Sequence, residues 1–294
     1  MTIKKNVLIT GVGGPAGRAS AAWFREKGFV VHGTDITMVD TVTDVFSIVP
    51  RGDDPGFGGA ILGIARRERP LLFLCTVTEE IPAAAALRAP LRTLGVSVFA
   101  TDPVMAAVAN DKYRTARFLG ANGVAVPMTL SDDECPTPMH AGAALGYPFV
   151  AKPRQGRGGR GVRVVLDEAM AAGEHRTDIA YQEFVGGEEY DVNLFAFPAG
   201  IASVTRVLFK TGLKEGIVGN ATGVRPAPRP DVEALAEAAV RSMRLEGPID
   251  MDIRLTESGL PKILEINARV GAHVVQAEGI LDLLLESALK GTKL

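Results

Sequence analysis

Asp252 and Glu265 are the side chains here with the plainest chemical consequence. They lie in the segment IDMDIRLTESGLPKILEINARVGA. The pair Ser258-Gly259 suits a tight hairpin turn. Centring the turn there sets Asp252 opposite Glu265 and Asp250 opposite Asn267. Side-chain alternation then sends Met251, Ile253 and Leu255, with Leu264 and Ile266, to a core face. The other face carries Asp250, Asp252, Arg254, Glu265, Asn267 and Arg269. Two carboxylates ~5 Å apart repel by roughly 3 kcal/mol at an effective dielectric near 20. A hard divalent cation removes that conflict, and the oxygens of Asp, Glu and Asn suit Mg²⁺. The competing reading is an ion-pair ladder in which Arg254 and Arg269 neutralise the carboxylates. The Asn between Glu265 and Arg269 favours the metal.

A second chemical signal is VAKPRQGRGGRGVRVV, residues 150–165. Lys152 precedes a loop with three arginines, Arg154, Arg157 and Arg160, and four glycines, Gly156, Gly158, Gly159 and Gly161. Such a loop either closes over phosphates or is a solvated hairpin connection. A third is GVGGPAG, residues 11–17, set between a strand and a helix, the context of a phosphate- or dinucleotide-binding turn. Asp35 at the end of the next strand would suit a ribose in such a site. The same glycines also serve a tight turn and close helix packing. No G-x-x-x-x-G-K-[ST] occurs, so a P-loop is excluded. Glu79 and Glu80 follow a strand's carboxyl end, where they either hold a substrate amine or start a helix. Arg206, Lys210, Lys214 and Arg225 are candidates for a carboxylate or γ-phosphate, or are solvated strand and loop residues. Of the histidines, His32, His140 and His175 read as structural or surface groups; His273, four residues after Arg269, is either another such group or a residue lining the substrate pocket.

These groups need elements to position them. Residues 6–10, 29–36, 45–49, 71–76 and 96–100 read as strands, with helices between them over GPAGRASAAWFREKG, FGGAILGIARRE and AAAALRAPLRTL. Pro90 is expected to break the last helix. This rhythm predicts an α/β domain with a parallel sheet. After Thr101 a helix over DKYRTARFLGANG leads into strand pairs 148–153 with 162–166, 188–197 with 201–211, and 249–255 with 261–268. Further helices are expected at about 231–244 and 280–290. This half reads as α+β.

The 294 residues are 47% hydrophobic and 22% charged, with a formal net charge of −2. Two domains are expected. Neither nucleic acid nor a membrane surface is an expected partner. Cys75 reads as a buried thiol and Cys135 as a loop residue. Two such cysteines form no metal or disulfide pattern, which fits the cytoplasm. The start of the chain shows no signal segment, and no apolar run reaches membrane-spanning length.

Taken together, the motifs resemble the ATP-grasp superfamily, in its carbamoyl-phosphate-synthetase-like and biotin-carboxylase-like branch. The resemblance covers nearly the whole chain. NDKYRTARFLGANGVAVP is similar to the first lysine helix, which makes Lys112 an ATP contact. FVAKPRQGRGGRGV is similar to the second lysine segment. It implies Lys152 on the α- and β-phosphates, with Gly158 and Gly159 in a flexible lid. YQEFVGGEEYDV is similar to the adenine hinge, from Gln182 and Glu183 to Phe184 and Val185, with Glu189 on the ribose. MDIRL and LEINARV are similar to the segment that makes Asp252, Glu265 and Asn267 the Mg²⁺ ligands and sets Arg269 at the transferred phosphate.

The implied fold is a pre-ATP-grasp parallel-sheet domain (1–107) followed by an α+β ATP-grasp domain (108–294) of two subdomains. These are a small lid (about 126–185) and a C-terminal subdomain (about 186–294). The cofactors would be ATP and Mg²⁺, with Mn²⁺ as an alternative metal. The partners would be a small carboxylate and an amine, and a homodimer is compatible. The chain ends soon after the metal segment, so biotin carboxylation is not expected. It has one grasp unit and no ammonia partner, which argues against carbamoyl phosphate synthesis. The implied reaction is amide formation through an acyl phosphate. Alternatives are a phosphotransferase of the same fold, a nicotinamide-dependent oxidoreductase resting on the Gly turn and Asp35, and a non-catalytic nucleotide sensor.

Overall fold

The computed structural model describes residues 6–156, 158–172, 177–214, 219 and 221–291. Arg157 and His175 lie outside these residues. The chain first builds a parallel sheet from β1 (Asn6–Thr10), α1 (Pro15–Glu26), β2 (Val30–Asp35), β3 (Val45–Ile48), α2 (Phe57–Glu68), β4 (Leu72–Leu74), α3 (Ile81–Thr93) and β5 (Ser97–Val98). The strand order is β3-β2-β1-β4-β5, and every pair is parallel. β1 is apolar on both faces because both are covered. Val7 and Ile9 pack with Phe24 of α1, whereas Leu8 packs with Ile61 of α2 and Leu91 of α3.

α3 does not break at Pro90; it continues to Thr93. Pro90 and Ala86, whose carbonyl loses its amide partner, both lie on the exposed side, so water can satisfy that carbonyl. Leu87 and Leu91 stay buried and hold the helix in place.

Two short helices lead away from this sheet, α4 (Pro103–Ala109) and α5 (Lys112–Ala121). Asp102 and Asp111 cap them, accepting from the amides of Val104 and Arg114. Next come β6 (Thr129–Ser131), α6 (Pro138–Leu145), β7 (Phe149–Pro153), β8 (Arg163–Val165), α7 (Glu168–Ala171) and β9 (Ile179–Glu183). Their strands form a small antiparallel sheet in the order β6-β9-β7-β8. Phe149, Tyr181 and Ala141 close its core, and the loop residue Cys135 is buried in it.

The last sheet comprises β10 (Glu189–Phe197), β11 (Ile201–Leu213), β12 (Ala221–Pro226), β13 (Gly247–Leu255) and β14 (Pro261–Asn267), with α8 (Pro230–Met243) between β12 and β13. It is antiparallel in the order β12-β11-β10-β13-β14. Val232, Ala236 and Val240 of α8 pack on Val192, Leu194 and Met251. The other face meets the first sheet through α9 (Ile280–Gly291). Leu281 and Leu284 of α9 join Val7 and Ile9 to Phe195 and Leu208 in one cluster.

The β13–β14 hairpin has the expected register beside the carboxylates: Asp250 faces Asn267 and Asp252 faces Glu265. Nearer the turn a bulge shifts the pairing, so Ile253 faces Ile263. Leu264 is the extra residue. It is not a core residue, as alternation predicts; Ile263 takes that place. A bulge leaves one residue outside the ladder, and that change matters for the site.

Pro90→Ala tests the account of α3. Restoring an amide in a solvated helix face should raise stability by about 1–2 kcal/mol, after the loss of proline's restraint on the unfolded chain. The urea midpoint should rise with an unchanged slope.

Candidate active site

β10, β13 and β14 lie side by side, and their polar faces coincide. Asp191 pairs with Asp252, Asn193 with Asp250, and Glu189 with Arg254. Glu189, Asp191, Asn193, Asp250, Asp252, Glu265 and Asn267 therefore share one surface of the sheet. Like charges on neighbouring strands are destabilising unless matched. Cations from four other parts of the chain match them.

Lys210 on β11 reaches across β10. Its ammonium lies 2.6 Å from Glu189 Oε1 and 2.6 Å from Asp252 Oδ1. Burial alone would lower its pKa, but Asp252 and Glu189 outweigh that and raise it. The other oxygen of Glu189 accepts from Arg254, whose guanidinium also donates to the Val185 carbonyl at 3.2 Å. Lys112 lies 3.3 Å from Glu265 Oε2. Burial pushes Glu265 upward, yet Lys112 and Lys152 offset it and hold the carboxyl below the usual range. Arg269 Nη1 lies 2.6 Å from Asp250 Oδ2.

Lys152 is buried on β7. Its ammonium donates to Gln182 Oε1 at 2.8 Å and to the Leu264 carbonyl at 3.1 Å. The Leu264 acceptor exists because the bulge leaves that carbonyl for a side chain. Burial lowers the Lys152 pKa to about 8, against the pull of Glu265.

A cleft of about 780 Å³ lies between the small sheet and this polar face. Lys112, Lys152, Asp252 and Glu265 line its inner end. Gln182, Glu183, Val185 and Glu189 line it as well, together with Gly158 and Gly159. Phe184 is not part of the lining. Glu183 is fixed by Lys262 at 2.8 Å and by the Met128 amide at 2.9 Å. Asp252 and Glu265 retain 28% and 21% side-chain exposure, so both carboxylates open into the cleft. Among the described residues no three His, Cys, Asp or Glu side chains form a metal cage. Two carboxylates and one amide oxygen instead suit a hard cation that keeps water and phosphate ligands. Lysines, not Arg254 and Arg269, sit on Asp252 and Glu265, and the two arginines pair with Glu189 and Asp250. Arginine and lysine pairs neutralise this polar face, and its oxygens still face the cleft.

A second cleft, about 1570 Å³, adjoins the first. It sits at the carboxyl edge of the parallel sheet, where ligands bind in such sheets. Gly158 and Arg160 line both clefts, and Arg269, Lys214 and Glu79 line the second. The short turn Thr78–Glu80 borders the second. Thr78 Oγ1 donates to Asn267 Oδ1 at 3.0 Å and accepts from Arg269 Nε at 3.3 Å. Glu80 accepts from Thr10 and from the Cys75 thiol. Burial, and then Glu80, push that thiol up.

Other sequence candidates lie outside the first cleft, with Asp35 and the glycine turn lining the second. Asp35 accepts from the amides of Gly13 and Ile36, both at 2.8 Å, so the glycine turn is capped by the chain's own carboxylate. Gly17 lets α1 approach closely, because a Cβ there would stand 2.2 Å from the Gly11 carbonyl oxygen. Arg206 is exposed and lines a groove with Trp23, away from both clefts. Arg225 lies over the Phe209 ring. His32 bonds Ser47, and His140 bonds Thr137 at the start of α6. Arg154 lies 2.6 Å from Asp111 and is an anchor rather than a lid cation.

His273 bonds the carboxylate face but lines neither cleft. Its Nδ1 lies 2.5 Å from Asp191 Oδ2, and Asp191 also accepts from Asn193. The alternation of EYDVN places Glu189, Asp191 and Asn193 on one face, a signal that sequence reasoning could have used. The bond from Thr78 has no comparable signal.

A small antiparallel sheet and a larger one, with a lysine-lined cleft between them, frame the site. The chain belongs to the ATP-grasp family: the family's ATP-grasp domain matches residues 109–273. It is 26% identical over 218 residues to the arginine-specific large chain of carbamoyl phosphate synthase from Cutaneotrichosporon cutaneum, covering 66% of this chain and 18% of that protein. It is 26% identical over 216 residues to the D-alanine–D-alanine ligase of Marinomonas sp. (strain MWYL1), covering 63% of each. The chain thus spans less than two thirds of either relative. Its fold is similar to L-amino acid ligase from Bacillus licheniformis (TM-score 0.75, 18% identity), covering 98% of this chain and 75% of that one. Biotin carboxylase from Campylobacter jejuni is similar as well (TM-score 0.71, 14% identity), at 97% and 71% coverage.

The His273–Asp191 bond predicts a pH-dependent contribution to stability. Burial lowers the His273 pKa, but Asp191 more than offsets this and raises it above 6.5. The stabilisation is complete below the unfolded value and is lost as pH rises through the folded one. His273→Gln should therefore destabilise the chain more at about pH 6 than at about pH 9, as urea denaturation at both would show.

Proposed function

We propose that the chain is an ATP- and Mg²⁺-dependent ligase that activates a small carboxylate as an acyl phosphate and joins it to an amine. The supporting observation is the junction of the two clefts. The cleft with Lys112 and Lys152 opens into the cleft with Arg269 past Gly158 and Arg160, which line both. A phosphoryl group leaving the first cleft would enter the second beside a guanidinium.

In this reading the adenine lies along Gln182 to Val185, and Lys112 and Lys152 hold phosphate oxygens. The lid over Gly158 and Gly159 keeps water from the reacting centre. Asp252, Glu265 and Asn267 hold Mg²⁺, or Mn²⁺, which when bound neutralises phosphate charge. Arg269, set by Asp250 and Thr78, stabilises the phosphoryl group in transit. The substrate carboxylate attacks the γ-phosphorus, ADP leaves, and the amine then displaces phosphate from the acyl carbon. The work is positioning and charge neutralisation. Glu189 is held by Lys210 and Arg254, so a ribose would meet a carboxylate that is already compensated. The capped glycine turn argues against a nicotinamide site.

A carboxylate screen with ATP, Mg²⁺ and hydroxylamine tests the reaction. A cognate acid should give a hydroxamate together with ADP. ADP with no hydroxamate or amide would point instead to a phosphotransferase. Glu265→Gln, of the same size, gives up the Lys112 pairing and should cost some stability while keeping the fold, and it should lower ADP production by at least about 100-fold. Near-normal turnover would remove Glu265 from the metal site.

Trypsin checks the lid. Arg160 lines both clefts, so cleavage after it should slow several-fold when Mg-ATP is present. Equal cleavage with and without nucleotide would argue against closure.

A further inference from the structure

Lys210 is a deeply buried cation on the polar face, with 5% of its side chain exposed. It comes from β11, two strands away from β13, and spans β10 to reach Asp252. Buried ammonium groups are retained where they are paired and costly where they are not. Here the pairing is twofold, Glu189 on one side and Asp252 on the other, each at 2.6 Å.

The charge balance around the inner cleft has a consequence. Three carboxylates, Glu189, Asp252 and Glu265, face three lysines, Lys112, Lys152 and Lys210. They are matched before Arg254, which also bonds Glu189, is counted. A dication approaching this face alone finds no surplus negative charge. It also meets an ammonium already seated on Asp252, one of its proposed ligands. A triphosphate supplies the missing negative charge. Two like charges near 5 Å repel strongly even at an effective dielectric of 20.

We propose that Lys210 is an internal counter-ion at Asp252 that makes metal binding conditional on nucleotide binding. It rests on the reading of Asp252, Glu265 and Asn267 as metal ligands. Lys210 stabilises the carboxylate face of the idle enzyme, and it excludes a free metal ion from that face. The metal enters with the nucleotide, whose phosphates compensate both the ion and the lysine. Lys210 is thus a positioning residue whose charge acts on the ligands of the metal.

Mn²⁺ is a suitable probe, because binding quenches the electron paramagnetic resonance signal of the free ion and needs no turnover. The wild-type protein should bind Mn²⁺ weakly alone and tightly with a non-hydrolysable ATP analogue. Lys210→Met should bind Mn²⁺ without nucleotide at least about tenfold more tightly than wild type. Its thermal midpoint without metal should fall, and Mn²⁺ should restore it. Lys210→Gln, which keeps a hydrogen-bond donor toward Glu189, should show the same gain in affinity if the methionine variant does not fold. Lys210→Arg, which keeps the charge, should behave as wild type. The proposal is overturned if wild type and Lys210→Gln bind free Mn²⁺ equally, or if Lys210→Arg matches Lys210→Gln. If wild type binds no Mn²⁺ even with the nucleotide analogue, the metal reading itself falls, an outcome distinct from equal affinities.

Discussion

Carboxylates crowded on three adjacent antiparallel strands must be matched by cations, and that requirement organises this molecule. Glu189, Asp191, Asp250, Asp252 and Glu265 cannot share one face of a sheet unless the chain brings positive charge to them. The cations arrive from separate elements: Lys112 from α5, Lys210 from β11, and Arg269 from just beyond β14. Lys152 arrives from the small sheet and is anchored on the bulge at Leu264. Each strand order and connection that brings one of these groups in also closes part of the cleft. Charge compensation and site assembly are therefore the same construction.

The first sheet is joined to this face rather than merely adjacent to it. Thr78 bonds both Asn267 and Arg269. On the far side α9 returns from the end of the chain to pack Leu281 and Leu284 against Val7 and Ile9. Gly271 permits the close approach behind Arg269, since a Cβ there would stand 2.5 Å from Asn193 Oδ1 and 2.6 Å from Asp250 Oδ1. The candidate phosphoryl site is held between two sheets by small residues, hydrogen bonds and one helix.

Local pattern made much of this legible in the sequence. Asp252 does face Glu265 as the alternation predicts, but the turn closes between Thr256 and Leu260, and the bulge at Leu264 restores that register. Gly and Pro punctuation marked α1. Alternation failed at Leu264, because a bulge has no unambiguous signature in residue types. Pro90 misled because the cost of proline depends on which face of the helix it occupies. The partners of Lys210, Arg154 and Thr78 were not legible. They are contacts between elements distant in sequence, and only the strand order brings those residues together.

Arg154 shows how an apparent excess of like charge resolves into separate tasks. Three arginines follow Lys152 within the loop, and sequence alone treats them as equivalent lid cations. Arg154 instead binds Asp111 through two nitrogens and lies against the ring of Tyr113. Asp111 is also the cap of α5, accepting from the Arg114 amide. The Lys112 amide in turn donates to the Arg154 carbonyl at 2.9 Å. The two lysines of the cleft, forty positions apart in the sequence, are thereby fixed relative to one another through a single aspartate–arginine pair. Charge-assisted, two-point pairs of this kind specify geometry as well as energy. Arg160 has a different setting, between the two clefts. Arg154 sets the spacing of the lysines and Arg160 lies where the two clefts meet, so one of these arginines anchors the loop while the other faces the clefts.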